Sequence, residues 1–137
     1  MTTSDNDIRR LAGAWRLVGF SGDEYAMRTR GQNSTGMVIY DPTGVMSLQI
    51  MPDVALRSAF AAKEPTPAEA KMAFTGYQAY FGTYSVDTSA KTVTHHLEAN
   101  LDPGQIDNRT RSYEFLGEDK LVLRINTRTL KWQRVRS

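Results

Sequence analysis

The chain has 137 residues, 40% hydrophobic and 23% charged, a size and balance that suit one globular domain and exclude a disordered chain. It has no cysteine, which removes disulfides, thiolate metal sites and cysteine nucleophiles and fits a reducing compartment. The formal charge of +2 is too small to argue for nucleic acid, and no basic cluster with interleaved aromatic residues is present.

The opening MTTSDNDIRRLAGAW lacks the apolar run of a signal peptide, and nothing approaches the roughly 18 apolar residues of a membrane span. The expectation is a cytoplasmic protein, monomer or homodimer, that engages neither membrane nor nucleic acid. Residues 7–11 predict a short helical turn with Asp7 as its cap. A first strand follows over 13–20. The polar stretch 21–35, with Gly22, Gly31 and Asn33, reads as a long loop. Strands over 36–40 and 45–51 flank Asp41-Pro42-Thr43-Gly44, whose proline and glycine mark a hairpin turn.

The period then changes. Residues 53–62 read as helical, and a second helix starts at Pro67, with Thr66 as cap and Glu69 completing a capping box. Ala73, Tyr77 and Tyr80 recur at helical spacing, which gives that helix one face for core packing or for a lid over a ligand. The β pattern resumes over 80–87, 91–101, 108–117, 120–126 and 129–136, with turns at Asp102-Pro103-Gly104 and Gly117-Glu118-Asp119. The result is all-β: eight antiparallel strands with a helical insertion between strands three and four. Such a set closes into a barrel or stacks as a sandwich, and closure is favoured because no strand looks like a protected edge.

Two features support the barrel. Gly13-x-Trp15 opens the first strand directly after a helical turn, and Trp132-x-Arg134 sits on the last strand. Further stretches, Leu11-Ala-Gly-Ala-Trp-Arg-Leu-Val18, Tyr40-Asp-Pro-Thr-Gly-Val-Met-Ser47, Tyr80-Phe-Gly-Thr-Tyr84, Val93-Thr-His-His-Leu-Glu98, Arg111-Ser-Tyr-Glu-Phe115 and Leu130-Lys-Trp-Gln-Arg134, span nearly the whole length. On these residues the chain resembles the bacterial and fungal lipocalin-like domain family. The resemblance implies a single calycin-type eight-stranded antiparallel barrel over residues 1–137. In it the first-strand tryptophan would close the base, with the last-strand arginine packed over it. Some relatives lie among natural-product biosynthesis genes, but the resemblance supplies no reaction. The Thr-Asp-Tyr motif of the wider lipocalins is not evident.

Strand parity selects the pocket residues. Val93, His95, Leu97 and Ala99 share the apolar face of the fifth strand, so His95 points inward and His96 outward. Arg111, Tyr113 and Phe115 share a face of the sixth. A tight turn at Pro103-Gly104 would put His95 across from Arg111 or Tyr113. A two-residue turn at Thr88-Ser89 would pair Tyr84 with Val93 and place Gly82 opposite His95, leaving a gap for a ligand. On the functional reading His95 is a general acid or base, Arg111 anchors an oxygen anion, and Tyr113 or Tyr84 donates or orients. Gly82, Tyr84, Tyr77, Tyr80, Leu97 and Phe115 would contact the ligand. On the bland reading these groups form a satisfied internal network that only shapes the barrel.

His95 and His96 make a poor metal site, because they face opposite sides with no third ligand. No metal and no cofactor are called for. The functional expectation is a barrel that binds a small, largely apolar metabolite and catalyses an acid–base isomerisation, cyclisation or hydration/dehydration of it. The alternative is a non-catalytic carrier or sequestering protein.

Overall fold

Apolar residues at every second position set the strands. In Val45–Met51, Met46, Leu48 and Ile50 are buried while Val45 and Gln49 face solvent. The same period buries Trp15 with Leu17, Val38 with Tyr40, Leu121 with Leu123, and Leu130 with Trp132. The computed structural model describes residues 3–53 and 64–136. Its elements are α1 (Thr3–Leu11), β1 (Gly13–Ser21), α2 (Glu24–Thr29), β2 (Thr35–Tyr40), β3 (Val45–Met51), α3 (Pro67–Gly76), β4 (Gln78–Asp87), β5 (Thr92–Asn100), β6 (Asn108–Phe115), β7 (Lys120–Ile125) and β8 (Arg128–Arg134). Each strand pairs antiparallel with the next, and β8 returns to β1 to close an eight-stranded barrel. Closure satisfies the two rows of backbone groups that an open sheet would leave bare. The barrel, not the sandwich, is formed, with α3 as the helix between β3 and β4.

Helix α1 closes the end that carries the β2–β3, β4–β5 and β6–β7 turns. Trp15 is fully buried there, and its indole N–H donates to the Leu11 carbonyl at 2.9 Å. The Arg134 guanidinium lies 4.2 Å above the Trp15 ring and also donates to the carbonyls of Ala12 and Arg10. One side chain thus joins the last strand, the first strand and the segment leading into it. Asp7 is not a cap, because α1 begins at Thr3. Its carboxylate instead accepts from the Tyr113 hydroxyl and the Lys91 ammonium, each at 2.7 Å.

The stretch 21–35 is not loop throughout. Asp23 caps α2 by accepting from the Ala26 N–H at 2.8 Å, and Ala26 is buried. A helix of six residues is too short to show a periodic face, and none was expected in this stretch. The capping box of Thr66 and Glu69 forms as expected. However, α3 ends at Gly76, where the Tyr77 N–H bonds the Ala73 carbonyl. Tyr80 is therefore an inward residue of β4, and Ala73, Tyr77 and Tyr80 are not one helical face. Residues 54–63, where the other helix was expected, lie outside the described residues.

Longer turns than expected shift two registers. Asp87 pairs with Thr92 around a connection over 88–91, where the Asp87 carboxylate accepts from the N–H groups of Ser89 and Ala90 and Lys91 takes φ 57°. Tyr84 consequently pairs with His95 rather than Val93, and Gly82 with Leu97 rather than His95. Residues 101–107 join β5 to β6, so His95 pairs with Arg109, and Val93 with Arg111. Neither Arg111 nor Tyr113 stands directly across from His95. At the bulge between Phe81 and Gly82, a Cβ on Gly82 would stand 1.9 Å from the His96 carbonyl oxygen. This glycine lets two backbones meet; it does not leave a gap.

Gly82→Ala is accordingly expected to destabilise the barrel by about 2 kcal/mol or more, measured by chemical denaturation, because backbone must move to admit the methyl. Burial would raise the Asp7 carboxyl, but hydrogen bonds from Lys91 and Tyr113, with the Lys91 and Arg10 charges, outweigh it and hold it below 3.8. A carboxyl depressed in the fold contributes stability above its unfolded pKa that is lost as pH falls through the folded value. Asp7→Asn is expected to lower stability at pH 7 and to flatten the loss of stability below about pH 4, read from denaturation curves across that range.

Candidate functional site

The alternation of β5 turns His95 inward, where it is fully buried, and His96 outward to Ser85 and Asn108. The Tyr40 hydroxyl lies 2.6 Å from His95 Nε2, and the Tyr80 hydroxyl 2.7 Å from Nδ1. Tyr40 ends β2 and Tyr80 lies near the start of β4, so three strands supply one phenol–imidazole–phenol chain. Tyr84 packs edge-on to Tyr40 at 4.9 Å between centroids and donates to the Asp41 carbonyl at 2.9 Å.

Burial, followed by the Arg111 and Arg109 charges, lowers the His95 pKa to about 3. The ring is therefore neutral near pH 7, with one N–H and one lone pair. One tyrosine donates to it and the other accepts from it. The accepting phenol keeps its own O–H for a further acceptor. Burial raises both Tyr40 and Tyr80, so each phenol stays protonated.

Arg111 points into the barrel and is 8% exposed, and its Nη1 has no hydrogen-bond partner among the described residues. The same holds for Trp132 Nε1 and for Nε of Arg30. All three orphaned atoms are donors. The Arg109 guanidinium lies 5.0 Å over the Tyr80 ring, which links the phenol chain to the open end of the barrel. There a cleft of about 290 Å³ is lined by Tyr25, Arg30, Tyr77, Gln78, Asn100 and Arg109, among others.

The expected site residues divide between the two ends. His95 and Tyr80 are in contact, and Arg111 and Arg109 act on both through their charge. Leu97 is buried on the same face of β5. Tyr113 gives its hydroxyl to Asp7, and Phe115 packs on Tyr113 beneath Arg10, so both belong to the closed base. Tyr77 stands at the rim and donates to Gln49 at 2.9 Å. Sequence reasoning missed Tyr40, Arg109 and Arg30. Arg109 shares the parity of Arg111, and Tyr40 that of Val38, so both were open to the same argument. Arg30 caps the C-terminus of an unrecognised helix and carried no such mark.

Among the described residues no helix is long and apolar enough to cross a membrane, and no group of three His, Cys, Asp or Glu could hold a metal. A closed eight-stranded barrel plugged by a first-strand tryptophan under a last-strand arginine defines a lipocalin-type protein. Residues 12–136 match the family described as the lipocalin-like domain, and the chain belongs to that family. Among solved structures it is similar to a lipocalin-like protein from Bacteroides uniformis ATCC 8492, at 15% identity and TM-score 0.51 over 92% of this chain and 99% of that one. It is also similar to an uncharacterized protein from Bacteroides eggerthii DSM 20697, at 12% identity and TM-score 0.53 over 90% and 98% of the two chains. These likenesses concern the fold. No curated protein matches the chain.

The His95 ring is expected to stay neutral from pH 8 to pH 4, with its NMR shifts moving only towards pH 3. Because the folded pKa of about 3 lies below the usual 6.5, the unfolded chain takes up a proton that the fold refuses in that window. This residue's contribution to stability is therefore lost as pH falls from 6.5 towards 3, and His95→Phe should remove that part of the slope.

Proposed function

We propose that the barrel binds a small, largely apolar molecule that presents oxygen acceptors to the interior. The observation that carries this reading is the set of three buried donors without partners among the described residues, Arg111 Nη1, Trp132 Nε1 and Arg30 Nε. A buried donor left unmade costs about 1–3 kcal/mol, which a ligand oxygen would remove. Around these donors the inward residues are apolar, including Phe20, Leu48, Ile50, Leu97, Leu123 and Leu130. A mostly apolar interior with a few placed polar groups suits a small metabolite.

A catalytic role for the same pocket is favoured by the hydrogen bonds of 2.6 and 2.7 Å that join Tyr40, His95 and Tyr80. In this reading a phenol exchanges a proton with the ligand and His95 passes protons between the two phenols. Arg111 would hold negative charge that develops on a ligand oxygen. Isomerisation or cyclisation returns the proton taken, and hydration or dehydration adds or releases only water. His95, with both nitrogens engaged, is a positioning residue for the tyrosines.

Native mass spectrometry of freshly purified protein should reveal a retained small molecule, and Arg111→Met should lower its affinity about 10- to 100-fold, as for the loss of a charged hydrogen bond. If Arg111→Met binds as the parent does, the reading fails. For catalysis, Tyr80→Phe should lower turnover at least about tenfold with ligand affinity held. A ligand returned unaltered by the parent protein would make it a carrier.

A further inference from the structure

At the open end of the barrel Arg128 and Arg109 stand close enough to Arg30 to act on it through their charge. Arg30 is 9% exposed, and its Nε has no hydrogen-bond partner among the described residues. Besides burial, the charges of Arg128, Arg109 and Arg111 lower its pKa, and only Tyr25 acts the other way. No carboxylate is among the groups whose charge acts on it. Arg109 lines the same cleft as Arg30 and is paired through Nε with Asp107 at 3.0 Å. Carboxylates nearby have local partners: Asp102 accepts from the Gly104 N–H, Asp23 caps α2 and accepts from Thr127, Asp53 accepts from the Asn33 N–H, and Glu24 lies 3.9 Å from Arg28.

A buried guanidinium without a counter-ion is costly, and its planar fork matches the geometry of a carboxylate. We propose that the cleft between α2, α3 and the β5–β6 connection is an oxyanion subsite, in which Arg30 and Arg109 take the carboxylate of an amphipathic ligand. The apolar part of that ligand runs past Tyr80 and Leu97 into the barrel. This rests on the barrel-ligand reading above and deepens it by naming the ligand an organic acid. Asp102 lines the cleft and Asp107 stands beside Arg109, so a singly charged head is favoured over a dianion.

The test titrates the protein with decanoate, with 1-decanol as the neutral counterpart and with inorganic phosphate, by calorimetry and by NMR of the arginine Nε–Hε signals. Decanoate should bind at least about tenfold more tightly than decanol and shift the Arg30 Nε–Hε signal. Arg30→Met and Arg109→Gln should each weaken decanoate about tenfold and leave decanol unchanged, with Arg30→Lys between parent and Arg30→Met. Arg109→Gln lies at the rim and serves should Arg30→Met not fold. Equal binding of decanoate and decanol overturns the subsite while the barrel-ligand reading stands. Binding that depends on Arg30 for decanoate, with none for decanol, supports the subsite and counts against an apolar interior site. Binding of neither, indifference of decanoate to both arginine substitutions, or phosphate binding as tightly as decanoate overturns the proposal.

Discussion

Everything inside this protein depends on β8 meeting β1. Without that seam the sheet has two bare edges, and its inward face becomes one side of an open layer. The seam is fastened at the base, where Arg134 covers Trp15 and ties to the carbonyls of Ala12 and Arg10, and where Trp15 itself bonds Leu11. Asp7 extends the closure by joining α1 to Tyr113 on β6 and to Lys91 on the β4–β5 turn. These contacts gather the large aromatic groups at one end and leave the other to short helices and a connecting loop.

That polarity accounts for where the chemistry lies. At the base Tyr113 and Asp7 satisfy each other closely, while Trp132 Nε1 has no partner among the described residues. Toward the middle the Tyr40–His95–Tyr80 chain is satisfied internally and held neutral by burial and by positive neighbours. At the open end Arg30 keeps a buried donor without a partner among the described residues, and Arg111, level with Val93 inside the barrel, keeps another. A barrel built only for stability would replace such groups with apolar ones at little cost.

The short connections carry much of this arrangement. The connection over 88–91 decides that Tyr84, rather than Gly82, lies beside His95, and residues 101–107 decide that Arg109 does. Both changes slide partners by an even step, so the inward set is preserved while the neighbours change. Gly82 then serves the bulge, which brings β4 against the His96 carbonyl and bends the wall at the level of Leu97.

Local pattern alone was enough for the strands, their inward faces, the hairpin at Pro42-Thr43-Gly44 and the capping box, because each depends on a period or on residues a few positions apart; the Trp15–Arg134 plug was implied by the family resemblance. It was enough also to put His95 and Arg111 inside and His96 outside. It misjudged Asp7 and Tyr80 where a helix boundary moved, since boundaries depend on contacts as well as propensity. The tertiary structure alone decided that Tyr40 and Tyr80 clasp His95, that Tyr113 serves the base, and that Arg30 joins Arg109 at the mouth. Such groupings depend on turn lengths and on closure of the whole ring, which bring residues far apart in the chain into contact, and no local period encodes them.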